Sequence, residues 1–406
     1  MIGVMAAGQL GQTARAQSAP TDTQSTPALF QPAPWTLHTS LAVTEQYTDN
    51  VFLSTGPNDP NTPERSDTVT VLKPALTLSR KAELFTIKAH YQPSFNFYAK
   101  YHDDLNYIGQ DGNIAIDVDR LGPGLFQHTG LNLLDKVTYT EAGLYSSPGS
   151  GQTTGNGGII TQRTKTWNNI SAASLIQHLT PALQGIASYD YVNTRYKNPG
   201  LTDSSQQGMT FNLSDHWTEQ ITTSAIYSYT ILKFQSVSSR NVTQSLTVRL
   251  DYAATPVFHT RLTLGSVYLS STNKFYPTAI ATVIRSFQYT SVALSYSNLI
   301  TTGGGITQVP TINQTGSLTI TRSMGPHAHA AVSGSYTNQQ TTTTPTGITQ
   351  SFGIGAHADY ALTKWLKAAA SYNHSAQHGN NSSAGQDIRW NTVAFTLDGN
   401  WDTQIQ

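Results

Sequence analysis

The sequence of 406 residues contains no cysteine and few charged residues. Without cysteine, the chain can form no disulfide bond, no cysteine-ligated zinc site and no thiol nucleophile. Asp, Glu, Lys and Arg make up 11% of the residues, whereas an ordinary soluble domain contains about 25%. No stretch of about 18 consecutive apolar residues is present either, so we expect no helical membrane span.

The 23 basic and 23 acidic residues cancel, which excludes the strongly basic surface that a nucleic-acid-binding protein presents. The apolar fraction is low at 38%, yet 20 Tyr, 13 Phe and 6 Trp are too many aromatic residues for a disordered chain. A neutral, polar and aromatic-rich composition is typical of two classes of protein. One is the secreted all-β protein, and the other is the β-barrel of a bacterial outer membrane.

The amino terminus resembles an export signal. Residues 1–10 are small and apolar, and Ala14-Arg-Ala16 matches the small-residue pattern at a cleavage site. We therefore predict a signal peptide over 1–16, with a buried segment as the alternative. Residues 17–34 are rich in Pro, Thr, Ser and Gln and predict a flexible periplasmic segment. A β-barrel is predicted over 35–401, with a short tail at 402–406.

Apolar and polar residues alternate with the strand period of two over most of the chain. The run 83–98 is typical, and similar runs occupy 243–252, 348–360 and 392–401. Each face of a strand carries every second residue, so one face of these strands is apolar and the other polar. In the first run the apolar face comprises Phe85, Ile87, Ala89, Tyr91, Pro93, Phe95 and Phe97.

The length of these runs favours a membrane barrel over a soluble sandwich or solenoid. They extend over roughly ten residues, as tilted membrane strands do, whereas soluble strands are most often 5–6 residues long. Tyr and Phe recur near the ends of the runs, as the aromatic girdles of a barrel require. We predict an all-β fold, a transmembrane antiparallel up-and-down β-barrel of about 16–18 strands. The region 272–308 stays open between one strand, a hairpin and a long loop, with 272–282 counted among the outer loops.

Tyr47-Thr48-Asp49-Asn50-Val51-Phe52 ends the first predicted strand. This motif resembles the opening strand of the β-barrel porin type 2 family. Many members of that family are encoded beside exopolysaccharide synthesis and export systems, so the resemblance implies an outer-membrane role linked to polysaccharide secretion. From the residues themselves, Asp49-Asn50 is equally consistent with an ordinary turn at the end of a strand.

The sequence favours neither a catalytic centre nor a metal site. His327 and His329 flank a predicted short turn, whereas His374 and His378 approach an outer loop, so the two pairs are expected at opposite membrane faces. Asp215 and His216 are adjacent and would point to opposite faces of a strand. No nucleophile elbow or zinc-protease motif occurs. We therefore expect no enzyme activity, no cofactor and no metal, although a barrel-embedded hydrolase stays a minor alternative.

The polar faces of the predicted strands supply the candidate binding residues, because they line the lumen of a membrane barrel. Their charges are mixed, which predicts either a neutral, sugar-compatible channel lining or a polar interior without selectivity. The sequence thus predicts an outer-membrane channel for hydrophilic solutes or exopolysaccharide, or else a non-conducting structural or surface-interaction barrel. The candidate lumen residues are Lys88, His90, Arg249, Asp251, His357 and Asp359.

A location in the outer membrane implies several partners. We expect contacts with outer-membrane lipid and lipopolysaccharide, and with the barrel-assembly machinery during insertion. The family resemblance adds components of an exopolysaccharide export system.

Overall fold

The computed structural model describes residues 34–54, 64–119, 128–142, 164–197, 202–235, 240–301, 310–342, 347–379 and 387–405. The predicted signal peptide over 1–16, the segment 17–33 and the turn at 121–124 lie outside the described residues. Within them, no helix is long and apolar enough to cross a membrane.

Nearly all of the described residues belong to eighteen β-strands. One short helix, α1 (His102–Leu105), lies between the third and fourth strands. The strands are β1 (Trp35–Thr48), β2 (Asp67–Lys81), β3 (Phe85–Tyr98), β4 (Tyr107–Val118), β5 (Thr129–Ala142), β6 (Thr164–His178), β7 (Leu183–Tyr196), β8 (Ser204–His216), β9 (Ile221–Phe234), β10 (Arg240–Thr255), β11 (Phe258–Leu269), β12 (Lys274–Ser286), β13 (Thr290–Thr301), β14 (Thr311–Ser323), β15 (Ala328–Thr341), β16 (Ile348–Ala361), β17 (Leu366–Gly379) and β18 (Ile388–Ile405).

The strands form one closed antiparallel barrel. Each strand pairs with its neighbours in the sequence, and β1 pairs with both β2 and β18, which closes the sheet. Closure satisfies the backbone groups that an open edge would leave exposed to lipid. The predicted barrel is confirmed, at the upper end of the predicted strand number.

The final strand is longer than the sequence indicates. Residues 402–405, expected to form a tail beyond the barrel, continue β18 and pair with β1, with Ile405 opposite Trp35. The amino end of β1 offers unpaired backbone groups over the same length, so the extra residues of β18 complete the ladder.

The two faces of the barrel wall differ in polarity as the alternation predicts. On β10, Leu246 and Val248 are exposed by 59% and 58%, whereas the intervening Thr247 and Arg249 are half-buried. Side chains on the convex outer face diverge and those on the concave inner face converge, so the exposed apolar set faces outward. The inner face carries the polar set.

The two ends of the barrel differ in their connections. At one end, seven of the eight connections have two to four residues, and the exception is 119–128. At the other end most connections are longer, including 49–66 and 143–163. We call these the short-turn end and the long-loop end; both the start of β1 and the end of β18 lie at the short-turn end.

Threonine hydroxyls stabilise three of the short turns in the same way. Thr180, Thr218 and Thr363 each accept a hydrogen bond from the backbone N–H three residues ahead, at 2.9, 3.1 and 3.0 Å. Such side-chain bonds replace backbone partners in tight turns. The recurring Thr therefore fixes where each hairpin reverses.

The region 272–308, ambiguous in the sequence, contains a hairpin followed by a longer connection. The prediction of an outer loop over 272–282 is wrong, because β12 begins at Lys274 and only 270–273 form the turn. Outward-facing Phe275, Pro277 and Ala279 give this strand a weak apolar face. Proline is also uncommon inside strands, so Pro277 weakens the strand prediction further. Antiparallel pairing of β12 with both β11 and β13 overrides that weak local signal.

Candidate functional site

The six candidate lumen residues all lie on strand positions that face the barrel interior, in three separate groups. Lys88 and His90 lie on β3, Arg249 and Asp251 on β10, and His357 and Asp359 on β16. Around the closed sheet these strands are seven, six and five positions apart. The groups are thus spread around the inner wall and do not form one compact site.

The group on β10 is extended by a residue that the sequence search missed. Arg261 of β11 lies directly opposite Asp251, and its Nε donates a hydrogen bond to the Asp251 carboxylate. Arg249, one position along the same face, has a buried Nε with no hydrogen-bond partner among the described residues. Two guanidinium groups and one carboxylate thus lie close together, which leaves a local excess of positive charge on this part of the inner wall.

The group on β16 forms a small ion-pair network. The Asp359 carboxylate lies 3.3 Å from Nε2 of His357 and 3.2 Å from Nζ of Lys367 on β17. His329 of β15 faces Asp359 across the sheet, where the Ser323 hydroxyl bonds its Nδ1 at 2.9 Å. The Asp359 carboxylate thus pairs with the Lys367 cation and has two imidazole rings beside it.

The group on β3 carries the simplest contacts. Nδ1 of His90 lies 2.8 Å from the Thr77 hydroxyl of β2. Lys88 is exposed within the lumen and forms no salt bridge with a described residue. Lys88 adds a positive charge to an inner wall that also carries acidic side chains, among them Asp111 and Asp117 on the neighbouring β4.

The motif from Tyr47 to Phe52 lies at the seam where the barrel closes. Tyr47 faces outward at the long-loop end, and the Asp49 carboxylate accepts hydrogen bonds from the Asn391 backbone and amide at 2.7 and 2.6 Å. Asn50 is 2% exposed, donates to the carbonyls of Ser54 and Arg389 at 2.9 and 2.8 Å, and accepts from Ser54. The dipeptide joins β1, β18 and the first loop.

The second half of the motif turns into the barrel mouth. Val51 packs with inward-facing Val69, Val71 and Tyr98 and with Leu105 of α1, while Phe52 contacts Tyr101 edge to face at 5.1 Å. The buried Asp67 carboxylate accepts the backbone N–H groups of Lys100 and Tyr101 at 3.0 and 3.1 Å. The motif therefore anchors two connections on the inner wall, a structural role for residues that the sequence left open.

The inner wall as a whole is buried at the long-loop end. The inward residues in the last positions of many strands there are less than 9% exposed, and most of them are uncharged. They include Val69, Thr164, Ser204, Leu232, Asn241, Leu269, Thr311, Gln339, Ser375, Gln377, Ile388 and Trp390. The mouth at this end is therefore narrower or more covered than the half of the lumen that carries the charged groups.

The histidines and the Asp215-His216 pair do not assemble a reactive centre. His329 lies at the short-turn end, whereas His378 lies at the long-loop end of β17. Nδ1 of His216 lies 3.0 Å from the Ala182 carbonyl, and Asp215 occupies the opposite face of β8. In the described part of the chain, no three His, Asp or Glu side chains converge as a metal site requires.

Solved structures with a similar fold are barrels of the outer-membrane porin type. OccAB3 from Acinetobacter baumannii aligns with 91% of this chain and 99% of its own, with 10% identity and a TM-score of 0.52. OccK2 (OpdF) from Pseudomonas aeruginosa aligns with 92% and 99%, with 7% identity and a TM-score of 0.51. A structure of OccK2 in complex with glucuronate aligns with 93% and 100%, with 7% identity and a TM-score of 0.50.

At these low identities the structural likeness shows a shared fold alone, and the function has to be argued from the barrel itself. No protein-family model and no curated protein matches the sequence. The likeness to the β-barrel porin type 2 family therefore stays a resemblance, carried by Tyr47 to Phe52.

Proposed function

We propose that this protein is an outer-membrane channel that conducts small hydrophilic solutes through the barrel lumen. The observation that carries the proposal is the closed eighteen-stranded wall, apolar on its outer face and polar on its inner face. An apolar outer band suits lipid, and a polar inner wall suits water and hydrophilic solutes. By the usual arrangement of such barrels, the long-loop end faces outside and the short-turn end faces the periplasm.

The inner wall carries charges of both signs, which suits neutral hydrophilic solutes, and its β10–β11 group also offers a local site for an anion. Arg261 pairs with the Asp251 carboxylate, Arg249 lies beside this pair, and Lys88 forms no salt bridge with a described residue. A solute carboxylate can accept hydrogen bonds from a guanidinium group, while sugar hydroxyls can bond the surrounding Thr, Ser and Asn side chains. The glucuronate complex of OccK2, a barrel of the same fold, is compatible with sugar acids as one solute class.

Passage of exopolysaccharide is a narrower version of the same proposal. It is supported by the resemblance of Tyr47 to Phe52 to a family encoded beside polysaccharide export systems. The observed contacts of Asp49 and Asn50 explain these residues through barrel closure, without a polysaccharide. Small solutes are therefore the first class to test.

The alternative is a non-conducting barrel with a structural or surface-interaction role. Its supporting observation is the buried inner wall at the long-loop end, where Thr311, Gln377 and Ile388 are 1%, 3% and 4% exposed. A mouth that was fully closed would account for this burial. A barrel-embedded hydrolase has no comparable observation in its favour.

Conductance of the purified protein in planar bilayers decides between the two functions. The channel proposal predicts stepwise openings, and swelling of protein-loaded liposomes in neutral sugars and sugar acids gives the solute class. A variant lacking 145–160, within the longest connection, controls for a mouth closed by its loop. Absence of openings in both proteins would contradict the channel and favour the structural role.

A further inference from the structure

The outer surface at the long-loop end carries a row of cations on one side of the barrel. Lys165, Arg195, Lys197, Lys233 and Arg240 lie on or immediately beside β6, β7, β9 and β10, at positions that face outward. We call these five residues the basic arc. From β6 to β10 there are four strand spacings of about 4.8 Å, so the arc extends over roughly 19 Å.

Two members of the basic arc oppose each other directly. Arg240 pairs with Lys233 across the β9–β10 ladder, and both side chains are exposed. Like charges at directly opposite positions destabilise a sheet unless an anion compensates them. Neither residue forms a salt bridge within the described part of the chain. Two exposed cations side by side form a suitable binding site for an external anion.

The other three cations are held in position by neighbouring side chains. The Arg195 guanidinium lies 5.5 Å from the centre of the Trp167 ring, and Nζ of Lys197 lies 5.9 Å from that of Tyr139. Aromatic faces orient these cations and leave their charge in place. Among the salt bridges of the described residues, one involves these three cations: Nζ of Lys165 lies 3.3 Å from the Glu141 carboxylate.

The neighbouring part of the same rim, on β11 to β16, lacks such charge among its described residues. On β11 to β16 the described outward positions at the long-loop end carry no Lys, Arg, Asp or Glu. They are occupied by residues such as Tyr268, Phe275, Asn298, Gln314 and Asn338. The cations of this rim are thus concentrated on β6 to β10.

We propose that the basic arc binds the phosphate groups of lipopolysaccharide in the outer leaflet. The proposal rests on the orientation given above, in which the long-loop end faces outside, and goes beyond solute conduction. Clustered Lys and Arg beside a membrane bind anionic lipid headgroups, and guanidinium groups hold phosphate through paired hydrogen bonds. The width of the arc allows it to contact both phosphates of one lipid A disaccharide or two neighbouring molecules.

The test compares two double variants of the full chain. Lys233→Gln with Arg240→Gln removes the opposed pair, whereas Arg285→Gln with Arg322→Gln removes two outward cations at the short-turn end. Each folded barrel is mixed in detergent with purified lipopolysaccharide, with the same lipopolysaccharide after phosphate removal, or with phosphatidylglycerol. Bound lipid is then counted by native mass spectrometry.

The wild-type barrel and the short-turn variant should retain phosphorylated lipopolysaccharide equally, and the Lys233/Arg240 variant should retain it about tenfold less. Removing the phosphates should abolish the difference. Equal retention by both double variants, or equal binding of phosphatidylglycerol and lipopolysaccharide, would overturn the proposal. Conductance in bilayers free of lipopolysaccharide tests the channel separately, so the two proposals can fail independently.

Discussion

The two halves of the inner wall differ in burial and in charge. At the long-loop end, inward residues such as Thr311 and Ser375 are buried and uncharged, and the motif around Asn50 anchors a loop there. Towards the short-turn end, the wall carries accessible charges, with the Arg261 and Lys367 side chains exposed by 51% and 45%. One surface of a single sheet thus contains a covered region and a wet, charged region.

This difference separates two tasks along the same lumen. The buried half is stabilised by uncharged side chains and by hydrogen bonds that join β1 to β18. The burial of these side chains limits the access of solutes to this part of the lumen. The charged half is open to water, so its ion pairs are screened and contribute little to stability, but their net charge acts on passing ions. Closure should therefore depend on the first region and selectivity on the second.

Replacing Asn50 by Ala should have the largest effect on stability, because Asn50 lies in the buried half of the inner wall. The change removes the side-chain bonds to Ser54 and to the Arg389 carbonyl and leaves these buried groups unpaired. We expect a loss of about 1–3 kcal/mol in the free energy of unfolding. Urea unfolding of the barrel, followed by tryptophan fluorescence, measures it.

The matched control is Asn373→Ala on β17. Asn373 also lies on the inner wall, but its side chain forms no hydrogen bond with a described residue and is only half-buried. Its replacement should change stability by less than about 0.5 kcal/mol. Equal losses of unfolding free energy for the two variants would show that the contacts of Asn50 with Ser54 and Arg389 do not stabilise the barrel.

The absence of native cysteine allows the burial difference to be measured directly. Ser375→Cys and Ser371→Cys place a thiol on the same face of the same strand, but Ser375 is 3% exposed and Ser371 is half-buried. A charged methanethiosulfonate reagent should modify the Ser371→Cys protein about tenfold faster, because the other site requires local opening. Equal rates would show that the two regions are equally accessible.

The smallest effects should come from the charged half. Arg249→Gln combined with Arg261→Gln removes two positive charges and leaves Asp251, so the channel should become more cation-selective by roughly two- to fivefold at low salt. Asp359→Asn removes one negative charge and should shift the reversal potential in the opposite direction. Planar-bilayer measurements at asymmetric salt give both shifts.

Arg285→Gln is the control for these charge changes, because Arg285 lies on the outer face and cannot reach the lumen. It should leave the reversal potential unchanged. Shifts of the same sign for the Arg double variant and for Asp359→Asn would contradict a selectivity set by the inner-wall charge.

The fold was largely predictable because alternation is a local signal. In runs such as 243–252 apolar and polar residues alternate, which defines the two faces of the strand. The structure places the apolar face outside and the polar face inside, as expected. The same signal failed at 272–282, where Pro277 and small residues weaken the apolar face of β12. Pairing with β11 and β13 provides what the local sequence lacks.

The candidate site was only partly predictable, because it depends on the register between strands. Thr255 pairs with Phe258, but a bulge shifts the β10–β11 register so that Asp251 meets Arg261. Without the extra residue at the bulge, Asp251 would lie opposite Leu262, a lipid-facing side chain. Counting back from the turn therefore misses Arg261, although the alternation of Phe258–Leu269 would have placed it on the inner face.

The sequence by itself determined that this protein forms long strands with one apolar and one polar face, because the period of two depends only on residues adjacent in the sequence. It also indicated a neutral interior, since a chain with 23 basic and 23 acidic residues has no net charge to display. Only the tertiary structure decided which charges meet, that Asp49 and Asn50 lock β1 to β18, and that five cations share one outward arc. Those outcomes depend on closure and register, which join residues as far apart as Asp49 and Asn391.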